Sequence, residues 1–330
     1  MTALVGHEEA VASLLRAMAG GRGHHAWLLT GPRGVGKGTF ARAAAARLLA
    51  DAAGPPVAPD RLEPPHEHPV AALIAAGSHP DLRVLERPEK DGGELARSIG
   101  VDQVRSLGRM FATTPALSFR RVVIVDAADD LEREGANSLL KNLEEPPAGT
   151  VFLLVSHRPG GLLPTILSRC RSLRFRPLGE ADMRRFVERE LPPMPDAERD
   201  ALVALAEGAP GAATRYAGLG VAELDRELRA LTVEGDPANA RRAALAAQLA
   251  PKKVQPRYEL FLERAPRLIA EAARERRGEA LASALRLWEA ARDLSGSAAR
   301  LSLDPQTTVF EMTGLLAALA LEPAEQRRHG

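Results

Sequence analysis

The segment GPRGVGKGT, residues 31–39, carries residue types that bind phosphate. Its GxxxxGK core follows a short apolar run, Ala26 to Leu29, and opens an alanine-rich stretch, Lys37 to Leu49, which is the strand, loop and helix context such a cradle needs. Gly31, Gly34 and Gly36 let backbone N–H groups turn toward an anion, the helix N-terminus adds positive potential, and Lys37 can reach terminal phosphates. The position after the lysine, where a Ser or Thr hydroxyl would ligate magnesium, is Gly38. Thr39 comes one residue later, about 100° further round a helix of 3.6 residues per turn, and cannot inherit that geometry. ATP or ADP is therefore expected to bind weakly or not at all, with magnesium coordination compromised. The blander alternative is a glycine turn that only packs strand on helix.

A second candidate lies 89 residues beyond Lys37, in RVVIVDAADD (121–130). The β-branched run Val122 to Val125 reads as a buried strand that delivers Asp126 to the edge of a parallel sheet, where a carboxylate can hold magnesium through water. A Glu after it would orient an attacking water in a nucleotide hydrolase; this chain has Ala127. Asp129 is expected to sit at a helix start, as a negative charge favourable to the helix dipole.

These residues must be positioned by alternating strands and helices. Strands are expected at 26–29, 81–85, 121–125, 151–155 and 172–175, with helices at 4–19, 37–49, 70–76, 101–112 and 134–144. That alternation implies an α/β fold with a mainly parallel sheet covered on both faces. Residues 51–69, DAAGPPVAPDRLEPPHEHP, are Pro-rich and aperiodic and read as an irregular insertion. Beyond Pro177 only helical periodicity appears, up to about residue 320. Boundaries near 178 and 219 give a P-loop domain (1–178), a small helical unit (179–219) and a larger all-helical unit (220–330). In the last, Leu281, Leu285 and Trp288 form an apolar stripe, and the run Arg274 to Arg277 reads as a solvated helix end.

Composition narrows the function. Lys and Arg total 44 against 43 Asp and Glu, a net charge of +1, so no whole-chain field draws the protein to nucleic acid or membrane. The N-terminus, MTALVGHEEA, has no leader-like pattern and no apolar run of about 18 residues occurs, so a cytoplasmic location is expected. Cys170 is the only cysteine, which excludes an intramolecular disulfide and a four-cysteine zinc site. His66, His68 and His79 are expected to be surface residues rather than metal ligands, and no metal site is expected. Cys170 is expected to be a packed thiol, since no His and Asp arrangement marks it as a nucleophile.

The run ANSLLKNLEEPP, in which Leu139, Leu140 and Leu143 share a helical face before Pro146 and Pro147 end it, is followed by LLPTILSRCRSLRF. Together with LVGHEEA, HHAWLLTGPRGVGKGTFARAAA, GSHPDL and IGVDQVRSL, it resembles the clamp-loader branch of the AAA+ proteins, over about residues 4–178. The resemblance implies a RecA-like P-loop domain, a helical lid and a C-terminal all-helical collar that joins five subunits. It also implies that the Arg of the Ser-Arg-Cys element, here Ser168, Arg169 and Cys170, reaches the ATP site of a neighbouring subunit. A guanidinium suits that role because it is always charged and forks onto phosphate oxygens. The implied partners are gamma/tau-type motor subunits and a delta subunit in a hetero-pentamer, with the sliding clamp and primed DNA engaged through the assembly and no membrane involved.

Two features depart from the family pattern. The four cysteines that many relatives carry after the P-loop helix are absent. The lid arginine of active ATPases falls near Gly211 in GAPGAATRYAG (208–218), and Arg215 comes too late to replace it. These departures, with Ala127, favour a subunit that does not hydrolyse ATP itself. An active motor ATPase of the same machine is the alternative. GKGT also resembles the phosphate loop of adenylate-kinase-like enzymes, which makes a small-molecule kinase the third reading.

Overall fold

The computed structural model describes residues 4–20, 24–90 and 95–321. Residues 1–3 of the expected N-terminal stretch and 322–330 of the expected collar lie outside the described residues. The chain divides into two compact units, one of residues 1–186 with 208–211, the other of residues 187–207 with 212–330.

The first unit is built on strands β1 (Ala26–Thr30), β2 (Leu82–Glu86), β3 (Arg121–Asp126), β4 (Thr150–Ser156) and β5 (Arg171–Arg174). All four pairings are parallel, in the order β2-β3-β4-β1-β5. The two central strands β3 and β4 are buried along nearly their whole length, which is why VVIV and VFLLV read as continuous apolar runs rather than alternating ones. Helices α1 (Glu8–Ala19), α2 (Lys37–Ala50), α3 (Pro69–Ala75), α4 (Val101–Phe111), α5 (Arg133–Glu144) and α6 (Pro164–Leu167) belong to this unit. A core cluster of Ile99, Val104, Leu107, Leu139 and Leu143 against Val123, Val125, Phe152 and Leu154 buries the apolar faces of α4 and α5 on the sheet.

The expected helix at 4–19 begins only at Glu8. Gly6 and His7 both take positive φ, and a Cβ on Gly6 would lie 2.7 Å from Leu178, so the chain turns sharply before the helix starts. The Pro-rich insertion is irregular but anchored. The buried Arg47 donates to the carbonyls of Ala58 (2.6 Å) and Arg61 and to Asp51 (2.9 Å).

Two of the three histidines expected at the surface are buried instead. His68 caps α3 by accepting from the Val70 N–H (3.2 Å) while its other ring nitrogen donates to the Pro55 carbonyl (3.1 Å). His79 accepts from the Asp81 N–H (3.1 Å). Asp81 in turn accepts from the backbone of Ala116 and Leu117 (2.7 and 2.9 Å), closing the loop into β3. His66 is exposed.

Helix α7 (Glu180–Glu190) starts in the first unit. The second unit holds α8 (Asp196–Ala206), most of α9 (Pro210–Tyr216), α10 (Val221–Glu234), α11 (Ala240–Leu249), α12 (Gln255–Arg274), α13 (Gly278–Leu301) and α14 (Pro305–Ala318). Helix α13 packs on α12 and α14, and of the expected stripe Leu281 and Trp288 are half-buried. Among its described residues Ala284, Ala291 and Ala298 are buried, a seven-residue spacing of small side chains, whereas Leu285 is 43% exposed.

Candidate functional site

The glycine-rich loop leaves the C-terminal end of β1 and enters α2 at Lys37, as its sequence requires. Gly31, Gly34 and Gly36 have φ of 146°, 82° and 103°, conformations closed to most side chains. At Gly31 the reason is also steric, because a Cβ there would lie 2.1 Å from the Phe175 carbonyl oxygen. His7 secures the loop from the other side. Its Nε2 donates to the Val35 carbonyl (2.7 Å) and its ring packs on Phe175, while burial, above all else, lowers its pKa.

Lys37 does not reach outward. Its Nζ donates to the loop's own carbonyls, Gly31 (2.6 Å) and Pro32, and the side chain is buried. Burial drops its pKa to about 8, and the carboxylates of Asp126 and Asp129 offset only part of that. Gly211, the residue near which a lid arginine was expected, donates its backbone N–H to the Gly34 carbonyl (2.9 Å). A Cβ on Gly211 would meet Gly34 Cα at 3.0 Å. Arg215 pairs with Glu263 (2.9 Å) within the second unit.

Asp126 does meet the loop, at Gly38. A Cβ on residue 38 would lie 2.6 Å from Asp126 Oδ2, so the carboxylate fills space that a Ser or Thr side chain at that position would need. Burial raises the pKa of Asp126, with Arg42 and Lys37 opposing and Glu86 reinforcing the shift. Thr39 follows on the first turn of α2, and Ala127 is buried and offers no polar atom for a water. This donor set does not fit a hydrolytic magnesium–nucleotide site. The hydroxyl is missing, its place is taken by a carboxylate, and the lysine is engaged by its own loop.

Asp129 lies in a turn at a helix start, as expected, and has a further role there. The single turn of 3₁₀ helix at 128–130 swings its carboxylate back to the end of β4, where it accepts from Ser156 Oγ (3.0 Å) and from the N–H groups of His157 (2.7 Å) and Arg158 (2.9 Å). Burial alone would raise its pKa, but these three donors outweigh it and hold the group below the ordinary carboxylate range. His157, overlooked in the sequence, is half-buried at this edge with no partner for Nδ1. Burial, and then the positive charge of Lys37, lower its pKa. Its only sequence signal is its place just after a strand's C-terminal end, where open α/β sheets build their sites.

Arg169 stands elsewhere. It precedes β5, which runs parallel to β1 with Arg171 opposite Trp27 and Arg174 opposite Thr30. The loop begins one residue after Thr30, so the two ends of this pair are separated by roughly 13 Å at 3.3 Å per residue, before the step back from Arg171 to Arg169 is added. Arg169 and Lys37 therefore occupy opposite ends of the sheet. At its own end Arg169 forms an ion pair with Glu144 (2.7 Å) and donates to the Thr165 carbonyl (3.0 Å). Ser168 bonds Thr165 as well, and Cys170 packs against the core with its thiol pushed up to about 11 by burial.

A family model described as DNA polymerase III, delta subunit matches residues 6–179. The chain belongs to this family. It is similar to the DNA polymerase III subunit delta' of Pseudomonas aeruginosa, 42% identical over 223 residues that cover 67% of this chain and 63% of that protein. Against the delta' of Escherichia coli the identity is 35% over 206 residues, 61% of this chain and 56% of that one. The gamma/tau subunit of Mycobacterium tuberculosis is 36% identical over 186 residues, 56% of this chain and 30% of that protein. The chain thus matches less than two thirds of the length of these relatives. Among solved structures, a gamma subunit-related protein of Thermotoga maritima aligns over 96% of this chain and 99% of its own at a TM-score of 0.48 and 18% identity. Family membership agrees with the AAA+ clamp-loader motifs, and the α/β sheet with its helical C-terminal part is the fold those motifs imply. Among the described residues no helix is long and apolar enough to cross a membrane.

Proposed function

We propose that this chain is a delta-prime-like clamp-loader subunit that does not hydrolyse ATP itself and supplies Arg169 to the ATPase site of a neighbouring subunit. In this reading residues 179–219 act as a lid and 220–330 as a collar. Motor subunits of the gamma/tau kind and a delta subunit complete a cytoplasmic hetero-pentamer. The assembly opens the sliding clamp and loads it on primed DNA, while this chain's own loop holds ATP or ADP weakly or not at all.

The observation that carries the proposal is the separation of the two charges. Arg169 lies at the opposite end of a parallel sheet from Lys37, which supports a role away from this chain's own loop. Support also comes from Asp126 filling the space beside Gly38 and from Ala127, which leaves no local residue to orient water. The intact glycine geometry of the loop favours the alternative, an active motor ATPase. A steady-state ATPase assay of the isolated chain separates the two, because appreciable turnover abolished by Lys37→Ala would sink the proposal. In the reconstituted assembly, Arg169→Ala is expected to leave subunit association intact and to cut stimulated ATPase and clamp loading by on the order of a thousandfold.

A further inference from the structure

Glu144 occupies an electrostatically unfavourable place. It is the last residue of α5, where the helix dipole presents its negative end, and a carboxylate there is destabilising unless something else holds it. What holds it is Arg169, whose Nη2 lies 2.7 Å from Glu144 Oε1.

The turn that carries Glu144 is fixed on both sides. The preceding residue, Leu143, is buried in the core, and its carbonyl accepts from Nε2 of His25 (3.0 Å) at the start of β1. Pro146 and Pro147 prevent the helix from continuing. The arginine is held from a second direction by the Thr165 carbonyl, which accepts from Nη1 (3.0 Å). A guanidinium has five N–H donors in a rigid plane, so these contacts can fix its orientation and still leave donors for an anion. Arg169 keeps about a third of its side chain exposed, so the guanidinium remains reachable.

Building on the trans role of Arg169, we propose that Glu144 is a positioning residue that orients this guanidinium toward the neighbouring subunit's phosphate. An arginine side chain has many rotamers, and ordering it in advance removes that cost from the step in which it meets the phosphate. The carboxylate does this from the side, with one terminal nitrogen engaged.

The test uses the full assembly with motor subunits, delta subunit, clamp and primed DNA, and reads kcat and KM for ATP. The variants are Glu144→Ala, Glu144→Gln, Arg169→Ala and the double substitution Glu144→Ala/Arg169→Ala. Glu144→Ala is expected to lower kcat about tenfold while KM changes less than about twofold. Glu144→Gln keeps an oxygen that accepts the same hydrogen bond and is expected to recover most of the loss. In the double variant, removing Glu144 adds nothing to the effect of Arg169→Ala, because its action runs through that residue. If Glu144→Ala does not assemble, Glu144→Asp, which withdraws the carboxylate by one methylene, takes its place and should also lower kcat at constant KM. Unchanged or increased kcat on loss of the carboxylate, with Arg169→Ala still defective, overturns the positioning role and leaves the proposed function standing. An Arg169→Ala assembly with normal ATPase overturns both.

Discussion

The clasp made by Asp129 is expected to be a principal support of the sheet edge beside the phosphate loop, and Asp129→Asn measures it. The wild-type carboxylate accepts three hydrogen bonds, two from backbone N–H groups at the end of β4 and one from Ser156. Hydrogen bonds to a charged acceptor contribute about 1.5–3 kcal/mol each when buried, and partial exposure of this group lowers that figure. Asparagine keeps one accepting oxygen and turns an N–H₂ toward a backbone donor, so about 2–3 kcal/mol is expected to be lost at neutral pH. With a urea slope of about 2 kcal/mol per molar, the midpoint moves down by roughly 1 M. The chain has two tryptophans, Trp27 in β1 of the first unit and Trp288 in α13 of the second, so a Trp288→Phe background makes Trp27 fluorescence a reporter of the first unit alone. The sign with pH follows from the lowered pKa. Stability from the clasp is fully present above the unfolded Asp value near 3.9 and is lost as pH falls through the folded pKa, so wild type and Asp129→Asn should converge in acid. Coincident urea curves at neutral pH would refute the reasoning and mean that water satisfies these donors equally well.

Lys37, with a pKa near 8 in the fold against about 10.4 unfolded, binds fewer protons when folded between those values, so its burial costs less as pH rises. The stability of wild type relative to Lys37→Met should therefore improve from pH 7.5 to 9.5 in denaturant titrations, and a constant difference would contradict the burial. Gly31→Ala should cost at least about 3 kcal/mol in thermal unfolding, because its Cβ meets the Phe175 carbonyl at 2.1 Å and its φ of 146° is strained for any side chain.

The sheet was legible because its strands are apolar runs bounded by Gly and Pro, and the phosphate loop because its motif sits between a strand and a helix. The short β5 and α6 flank Arg169, and the resemblance marked that residue without indicating what it touches. Other features were hidden because their partners are far apart in the chain. Asp129 meets residues 156–158, Arg47 holds the carbonyls of Ala58 and Arg61, and His68 reaches back to Pro55. Polar side chains in a Pro-rich segment read as solvated unless the backbone groups they satisfy are known, which is why His68 was expected at the surface. The face of α13 was legible only in part. Leucine and tryptophan carry the larger hydrophobic signal, whereas the fully buried positions are the small alanines at 284, 291 and 298, which a hydropathy pattern weights little.

The loop's glycines have uses that do not depend on a nucleotide. Gly31 admits the backbone of Phe175, and Gly34 receives the N–H of Gly211 while leaving no room for a side chain there. Gly36 starts α2 in a left-handed conformation, and Lys37 closes the turn by bonding Gly31 and Pro32. The loop follows β1, which pairs in parallel with β5, next to which Arg169 is held. Loss of the hydroxyl at position 38 and of a carboxylate at 127 therefore removes groups that only a phosphoryl-transfer step would use. The glycines and the lysine still carry packing contacts of their own. A phosphate loop can thus keep its pattern under structural constraint alone, and the residues that touch it here, Asp126 and Gly211, bear on its chemistry as directly as the loop itself.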